Sequence, residues 1–425
     1  MHHSKLEEPV YGPADALEGR CQASSQSDSR GGVRGASGAP LGITAKSSPP
    51  PDRDLGARAA RVERYAALAQ ARSWMGRRVN VFKPEEQFPG NVYRTFDCRH
   101  VRTAHFVGLH YRPEYFQAHY RGIATCGSVW ACPVCASVIQ ERRRLELEHL
   151  VQWAEDSGLQ AIMVTFTFPH TSFDTLTDLL DRQADAFLRF RRGSPFTRFK
   201  QSLGFQGLVR SLEVTHGLRN GWHPHTHELW LVHSSVGQAC RTRLMDLWER
   251  ACIAAGLLDP ADQAKVEAFR LHSVDVRLNA TSGEYLAKQD SSRKWGITHE
   301  VAKATSKAGK AKGCHPHEFL VRKAPGDEAR YFEYLEAMKG RRQLFWSPGL
   351  KGRCGLDDID DQVIAEEASD EADLLGNLVQ DEWEFIRSKR VVAQVLDAAE
   401  VGGWDLVLRY LKRLGYRDRP PPEFP

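Results

Sequence analysis

The stretch Gly221-Trp222-His223-Pro224-His225-Thr226-His227-Glu228-Leu229-Trp230-Leu231-Val232 constrains the fold more than any other. Three histidines occupy alternate positions, and an apolar run follows them. Side chains alternate between the two faces of a strand, so a strand here stands His223, His225 and His227 in one row. Leu229 and Leu231 continue that face into a core, while Thr226, Glu228 and Trp230 point the other way. A row of imidazoles suits a divalent metal ion bound through ring nitrogens. The plainer reading is a histidine-rich strand end with satisfied side chains. Pro224 has no N–H to donate, so the strand is expected to begin there or to lie at an edge.

A second metal pattern precedes it. Cys126, Cys132 and Cys135 form a Cys-x-x-Cys hook with a third thiol six residues earlier. Four thiolates close a tetrahedral structural site, and Cys98 is the choice for the fourth, with His100 and His105 as rivals. The competing reading is free thiols, or a redox pair at Cys132 and Cys135. The nine cysteines are odd in number, which favours a reducing compartment over a disulfide framework. A cytoplasmic location is therefore expected. The first ten residues hold no apolar signal core, and no run is long and apolar enough for a membrane helix.

At 425 residues the chain has room for a sizeable core. Its net charge of +4 excludes a uniformly basic nucleic-acid binder. Locally the charge is uneven. Residues 1–55 are rich in Ser, Gly, Pro and Arg and are expected to be disordered. Residues 57–74 and 136–155 have helical spacing, and the second carries Arg142, Arg143 and Arg144, either a phosphate contact or a solvated face. Residues 159–168 read as a buried strand, 174–192 as an amphipathic helix and 207–216 as a strand containing Glu213. The turn at 217–221 joins that strand to the histidine row in an antiparallel hairpin. Glu213 is then either a further metal ligand or a surface carboxylate.

Residues 236–256 read as a helix and 270–278 as a strand. Tyr285 and Lys288 follow, three apart and so on one helix face. A phenol is a nucleophile, and an ammonium beside it holds phosphate or lowers the cost of the phenolate. Lys303, Lys307, Lys310 and Lys312 lie in a basic segment suited to phosphate, or to solvent alone. Cys314-His315-Pro316-His317 is read as a turn, and 327–338 as a helix. Arg341 and Arg342 open a stretch where cations and aromatics interleave, as single-stranded nucleic acid requires. Residues 356–390 form an acidic linker, and 391–425 a small helical segment divided at Gly402-Gly403.

Three motifs in order, Met163-Val164-Thr165-Phe166-Thr167-Phe168, then Gly221 to His227, then Tyr285-x-x-Lys288, resemble those of HUH endonucleases. The chain looks most like the rolling-circle replication initiators (Rep proteins) of small bacterial plasmids, which also carry a Cys-x-x-Cys hook before the first motif. The resemblance covers roughly residues 95–355. It implies an α+β fold, an antiparallel sheet with packed helices, preceded by a small zinc-binding module at 56–157. The nuclease would occupy 158–355. It implies His225 and His227 as paired ligands of Mg²⁺ or Mn²⁺, with His223 and Glu213 as further candidates, and structural Zn²⁺ on the four cysteines. Tyr285 would attack, leaving a 5′-phosphotyrosine and a free 3′-hydroxyl, with Lys288 as its partner. The implied partners are single-stranded DNA at a plasmid origin, a host helicase and a polymerase, with no membrane. A relaxase or transposase with the same core, and a zinc-containing DNA-binding regulator that never cuts, are the alternatives.

One position departs from the family. Many such initiators place a glutamate four residues before the tyrosine, where it activates water and ends the cycle. Here that residue is Thr281, which is no general base. Glu284 is adjacent to Tyr285, about 100° around a helix axis from it, and is expected to face away. Slow hydrolytic release is the expectation.

Overall fold

The computed structural model describes residues 55–82, 92–233, 238–278, 313–366 and 372–417. The expectation of disorder for 1–55 lies almost entirely outside them. The architecture is α+β with two antiparallel sheets.

A long helix, α1 (Leu55–Phe82), extends the expected 57–74 helix at both ends. Strands β1 (Val107–Arg112) and β2 (Gln117–Arg121) form a hairpin, and α2 (Pro133–Asp156) follows. The larger sheet then begins with β3 (Gln160–Phe166). Two helices, α3 (Leu176–Arg191) and α4 (Ser194–Ser202), lead into β4 (Gly207–Gly217) and β5 (Gly221–Val232). After α5 (Gln238–Ala254) and α6 (Gln263–His272) comes the short β6 (Val274–Arg277). Helix α7 (Asp327–Met338) and β7 (Leu344–Trp346) complete this part, giving the strand order β6-β3-β5-β4-β7.

The alternation along β5 sorts its side chains as the sequence pattern predicts. Leu229 and Leu231 pack with Leu147, Leu150 and Val151 of α2 on one face. Trp230 and Val232 join Phe187, Phe190 and Trp248 from α3 and α5 on the other. Polar residues on that second face are partnered. Thr226 accepts from Gln183 Nε2 at 3.1 Å. The fully buried Glu228 accepts from Trp230 Nε1 at 2.8 Å and pairs with Arg191.

The hairpin turn depends on a glycine. Gly221 has φ +69°, and a Cβ there would lie 2.8 Å from Ser172 Cα, so both backbone and space exclude a side chain.

Three sequence expectations change. Pro224 does not begin the strand, because β5 starts at Gly221 and lies between β3 and β4. The β3 ladder ends at the Phe166–Thr226 pair, so the missing N–H of Pro224 falls beyond it. The strand expected at 270–278 is present but shorter, at 274–277, because residues 270–272 end a helix. Asp262 caps α6 by accepting from the Lys265 N–H, and Val266 and Phe269 bury one helical face, carrying the helix to His272. The acidic 356–390 stretch holds a short helix (Asp361–Glu366), strand β8 (Asp373–Leu378) and helix α8 (Gln380–Ser388). Its carboxylates conceal a few apolar anchors, Leu378, Trp383 and Ile386, which pack on Val107 and Leu109. Strand β8 pairs with β1, giving a second sheet of order β2-β1-β8. The last helix, α9 (Val392–Arg413), is broken at Gly402 and Gly403.

Candidate functional site

The β4–β5 register places Glu213 opposite His225, Ser211 opposite His227 and Thr215 opposite His223. On the other side, Thr165 of β3 lies opposite His227. Glu213 Oε2 is 2.9 Å from His225 Nε2 and 3.3 Å from His227 Nε2. Thr165 Oγ1 lies 2.9 Å from His227 Nδ1, which orients the ring with Nε2 toward Glu213. One ligand atom from each of Glu213, His225 and His227 lies within 4.8 Å of the others. Burial raises the Glu213 carboxyl, but the hydrogen bonds and charges of the two imidazoles outweigh it and hold it well below the usual carboxylate range. Two imidazoles and an ionised carboxylate converging from adjacent strands can hold a divalent ion.

His223 stands apart from this group. Its Nδ1 lies 2.6 Å from His170 Nε2, and His170 Nδ1 lies 2.9 Å from the Asn220 carbonyl oxygen. Burial, then the neighbouring His225 and His170, push the His223 imidazole down to about 3, so it is neutral at ordinary pH. His170 was not legible from the sequence. It follows the proline that ends the predicted strand, and only the chain's path past β3 brings it to His223.

A cleft opens beside Glu213, lined among others by Ser211, Gln140, Arg143, Trp130 and His315. His315 belongs to the segment read as a turn. Cys314 bridges to His216 of β4, and His317 Nε2 lies 2.6 Å from the Trp130 carbonyl oxygen. Residue 313 onward is thus tied beside the histidine strand. Tyr285 and Lys288, with Lys303, Lys307, Lys310 and Lys312, lie outside the described residues.

The four expected cysteines come together in an arrangement that could hold a metal ion, and among the described residues neither His100 nor His105 joins them. The Sγ separations are 3.7 Å for Cys98–Cys132, 3.4 Å for Cys98–Cys135 and 3.7 Å for Cys126–Cys135. Four sulfurs about 2.3 Å from one tetrahedral ion stand about 3.8 Å apart, so the spacing fits metal ligation. A disulfide requires about 2.05 Å, and all four thiols are free and buried. The Cys135 N–H points to Cys132 Sγ at 3.4 Å, and the Thr95 hydroxyl donates to Cys126 Sγ at 3.4 Å, contacts that support thiolate charge. Cys132 also caps the N-terminus of α2, so the cluster anchors the helix that covers one face of the larger sheet.

The basic residues are more engaged than their sequence suggests. Arg143 pairs with Glu146 and Asp361, and Arg144 with Glu141 and Glu148. Arg341 pairs with Asp181 at 2.5 Å and donates from Nε to the Ala337 carbonyl at 2.9 Å. Arg342 is exposed. Among the described residues, no helix is long and apolar enough to cross a membrane.

The chain is thus an antiparallel α+β protein with a Glu-His-His group on its central hairpin and a separate four-cysteine cluster, the class of protein that its relatives narrow to a family. The model of a replication protein family matches residues 120–391. The Rep protein of Streptomyces lividans is 27% identical over 350 residues, covering 66% of this chain and 76% of that protein. A protein named neomycin resistance protein, from Streptomyces cyanogenus, is 34% identical over 136 residues, 26% of this chain and 31% of that protein. No solved structure matches. The chain belongs to the replication protein family, and the resemblance to plasmid replication initiators holds.

Proposed function

We propose that this replication initiator nicks single-stranded DNA at a plasmid origin through Tyr285. The observation that carries the reading is the convergence of Glu213, His225 and His227 on adjacent central strands. Tyr285 Oη would form a bond to the scissile phosphorus as the bond to the 3′ oxygen breaks. The products are a 5′-phosphotyrosine and a 3′-hydroxyl able to prime synthesis. A tyrosine ordinarily loses its proton near about 10, so the Lys288 ammonium would favour the phenolate. Glu213, His225 and His227 would hold the divalent ion, Mn²⁺ more readily than Mg²⁺ because two of the three ligands are nitrogen. When bound, that ion supplies Lewis-acid polarisation of the scissile phosphate. Cys98, Cys126, Cys132 and Cys135 would hold one structural Zn²⁺.

The test uses single-stranded oligonucleotides from the DNA flanking the gene, incubated with the full chain and Mn²⁺. A cut fragment with a 3′ end that a polymerase extends is expected, and none with a chelator. Absence of cutting across the whole flanking region would favour the non-cutting zinc-containing regulator.

The charged residues near 341 separate by their contacts. Arg342→Gln is expected to lower the slope of log affinity against log salt by about 0.7, the value for one phosphate contact on a single strand. Arg341→Gln should change it little, because Asp181 already holds that guanidinium. Oligonucleotide titrations at several salt concentrations check both.

A further inference from the structure

The turn that closes the β4–β5 hairpin consists of Leu218, Arg219 and Asn220, between the paired Gly217 and Gly221. The loop after β3 lies against this turn. Ser172 Cα and the Thr171 carbonyl oxygen stand 2.8 and 3.1 Å from where a Cβ on Gly221 would be. His170 Nδ1 lies 2.9 Å from the Asn220 carbonyl oxygen, a second tie between the two loops. Together they form the end of the larger sheet nearest the histidine row. From the Glu213–His225 pair to the Gly217–Gly221 pair is four residues, about 13 Å at about 3.3 Å per residue.

Phe173 is 95% exposed and Leu218 77%, the two most exposed large apolar side chains among the described residues. Single exposed apolar residues are common, but here both extremes fall on two touching loops. The Phe173 ring is bare while its backbone is held. Asp174 Oδ2 accepts from the Thr171 N–H at 2.7 Å and from the Thr171 hydroxyl at 2.8 Å. The Phe173 N–H donates to Thr171 Oγ1 at 3.3 Å. Arg182 holds the other oxygen of the Asp174 carboxylate at 3.1 Å, so the negative charge beside the ring is already paired. Arg219, on the turn, is exposed and meets no polar partner.

We propose that this end of the hairpin binds single-stranded DNA beside the Glu213, His225 and His227 site, with an unpaired base stacked on Phe173, Leu218 against its neighbour and Arg219 on a phosphate. An unpaired base offers a free π-face, and stacking on an aromatic ring accepts any base. The Arg219 guanidinium suits phosphate, which it can bind through two N–H groups at once. A strand whose scissile phosphate lies at the Glu-His-His group would reach the two loops within a few nucleotides. This surface deepens the nuclease reading of the chain and rests on it. It adds contact residues outside the basic stretches singled out from the sequence.

The experiment titrates the full chain into fluorescein-labelled oligothymidine, and into an oligomer of equal length and charge whose sugars carry no bases, across a series of salt concentrations. Phe173→Ala removes a ring that packs on almost nothing, so its melting temperature should match wild type. Its affinity for oligothymidine should fall about tenfold, the loss of one stacked base, while its affinity for the base-free oligomer stays at the wild-type value. Arg219→Gln should lower the slope of log affinity against log salt by about 0.7 on both oligomers, the single-strand value for one phosphate. A Phe173→Ala variant that binds both oligomers like wild type, or loses equally on both, would overturn the proposal, as would an unchanged slope in Arg219→Gln. Plasmid replication lost in both variants with DNA affinity intact would make the tip a dock for another replication protein instead. Neither binding readout depends on cleavage. If the variants weaken as stated and no DNA is ever cut, the surface stands and the nuclease reading fails. If wild type cuts and both variants bind like it, the surface alone fails.

Discussion

Alanine at His225 or at His227 is expected to abolish nicking while single-stranded DNA binding persists. The two rings share the Glu213 carboxylate and sit on the strand between β3 and β4. An ion held there acts on the charge that develops at phosphorus, a contribution of several kcal/mol, so cleavage should fall by about a thousandfold or more. Affinity comes mainly from phosphate contacts elsewhere and should survive. His223→Ala should cost much less, because its ring turns to His170 instead of Glu213. Nicking time courses beside anisotropy titrations separate the two effects. An inactive His223→Ala with an active His227→Ala would refute the assignment.

The second large effect lies in the cysteine cluster. Cys132→Ser is expected to release one equivalent of zinc and to unfold the surrounding structure before it touches chemistry. Structural zinc contributes on the order of 10 kcal/mol to small zinc units, comparable to the whole net stability of a domain. Cys132 also caps α2, whose Leu147 and Leu150 pack on Leu229 and Leu231, so the damage should reach the larger sheet. Elemental analysis and thermal melts of wild type and variant give the answer. Freshly purified, reduced wild type without zinc would count against the site.

The parts of the site that were legible in the sequence rest on short-range rules. Alternation along 221–232 gave the faces of β5, and the glycine-bounded turn gave the β4–β5 hairpin that sets Glu213 opposite His225. Thiol spacing singled out Cys126, Cys132 and Cys135, and Cys98 joins them as expected. What escaped depends on long-range pairing. Nothing local in Pro169-His170 indicates that the ring will meet His223. Strand β8 hides among carboxylates and is recognisable only once Leu378 lies against Val107 in the partner ladder. Within 270–278 the strand holds only 274–277, and the alternation runs on falsely into residues 270–272, the end of a capped helix on which Leu271 is 69% exposed. The ion pair of Arg341 with Asp181 is equally invisible locally, because Asp181 lies far away in sequence, on α3.

Tyr285 is expected to become covalently joined to DNA. The most direct test is peptide mapping by mass spectrometry after wild-type protein has been incubated with Mn²⁺ and a single-stranded origin oligonucleotide. A nucleotide-bearing peptide containing Tyr285, joined through a 5′ phosphate, is expected, and none in Tyr285→Phe. Cutting that proceeds without any adduct, or an adduct on another residue that persists in Tyr285→Phe, would contradict it.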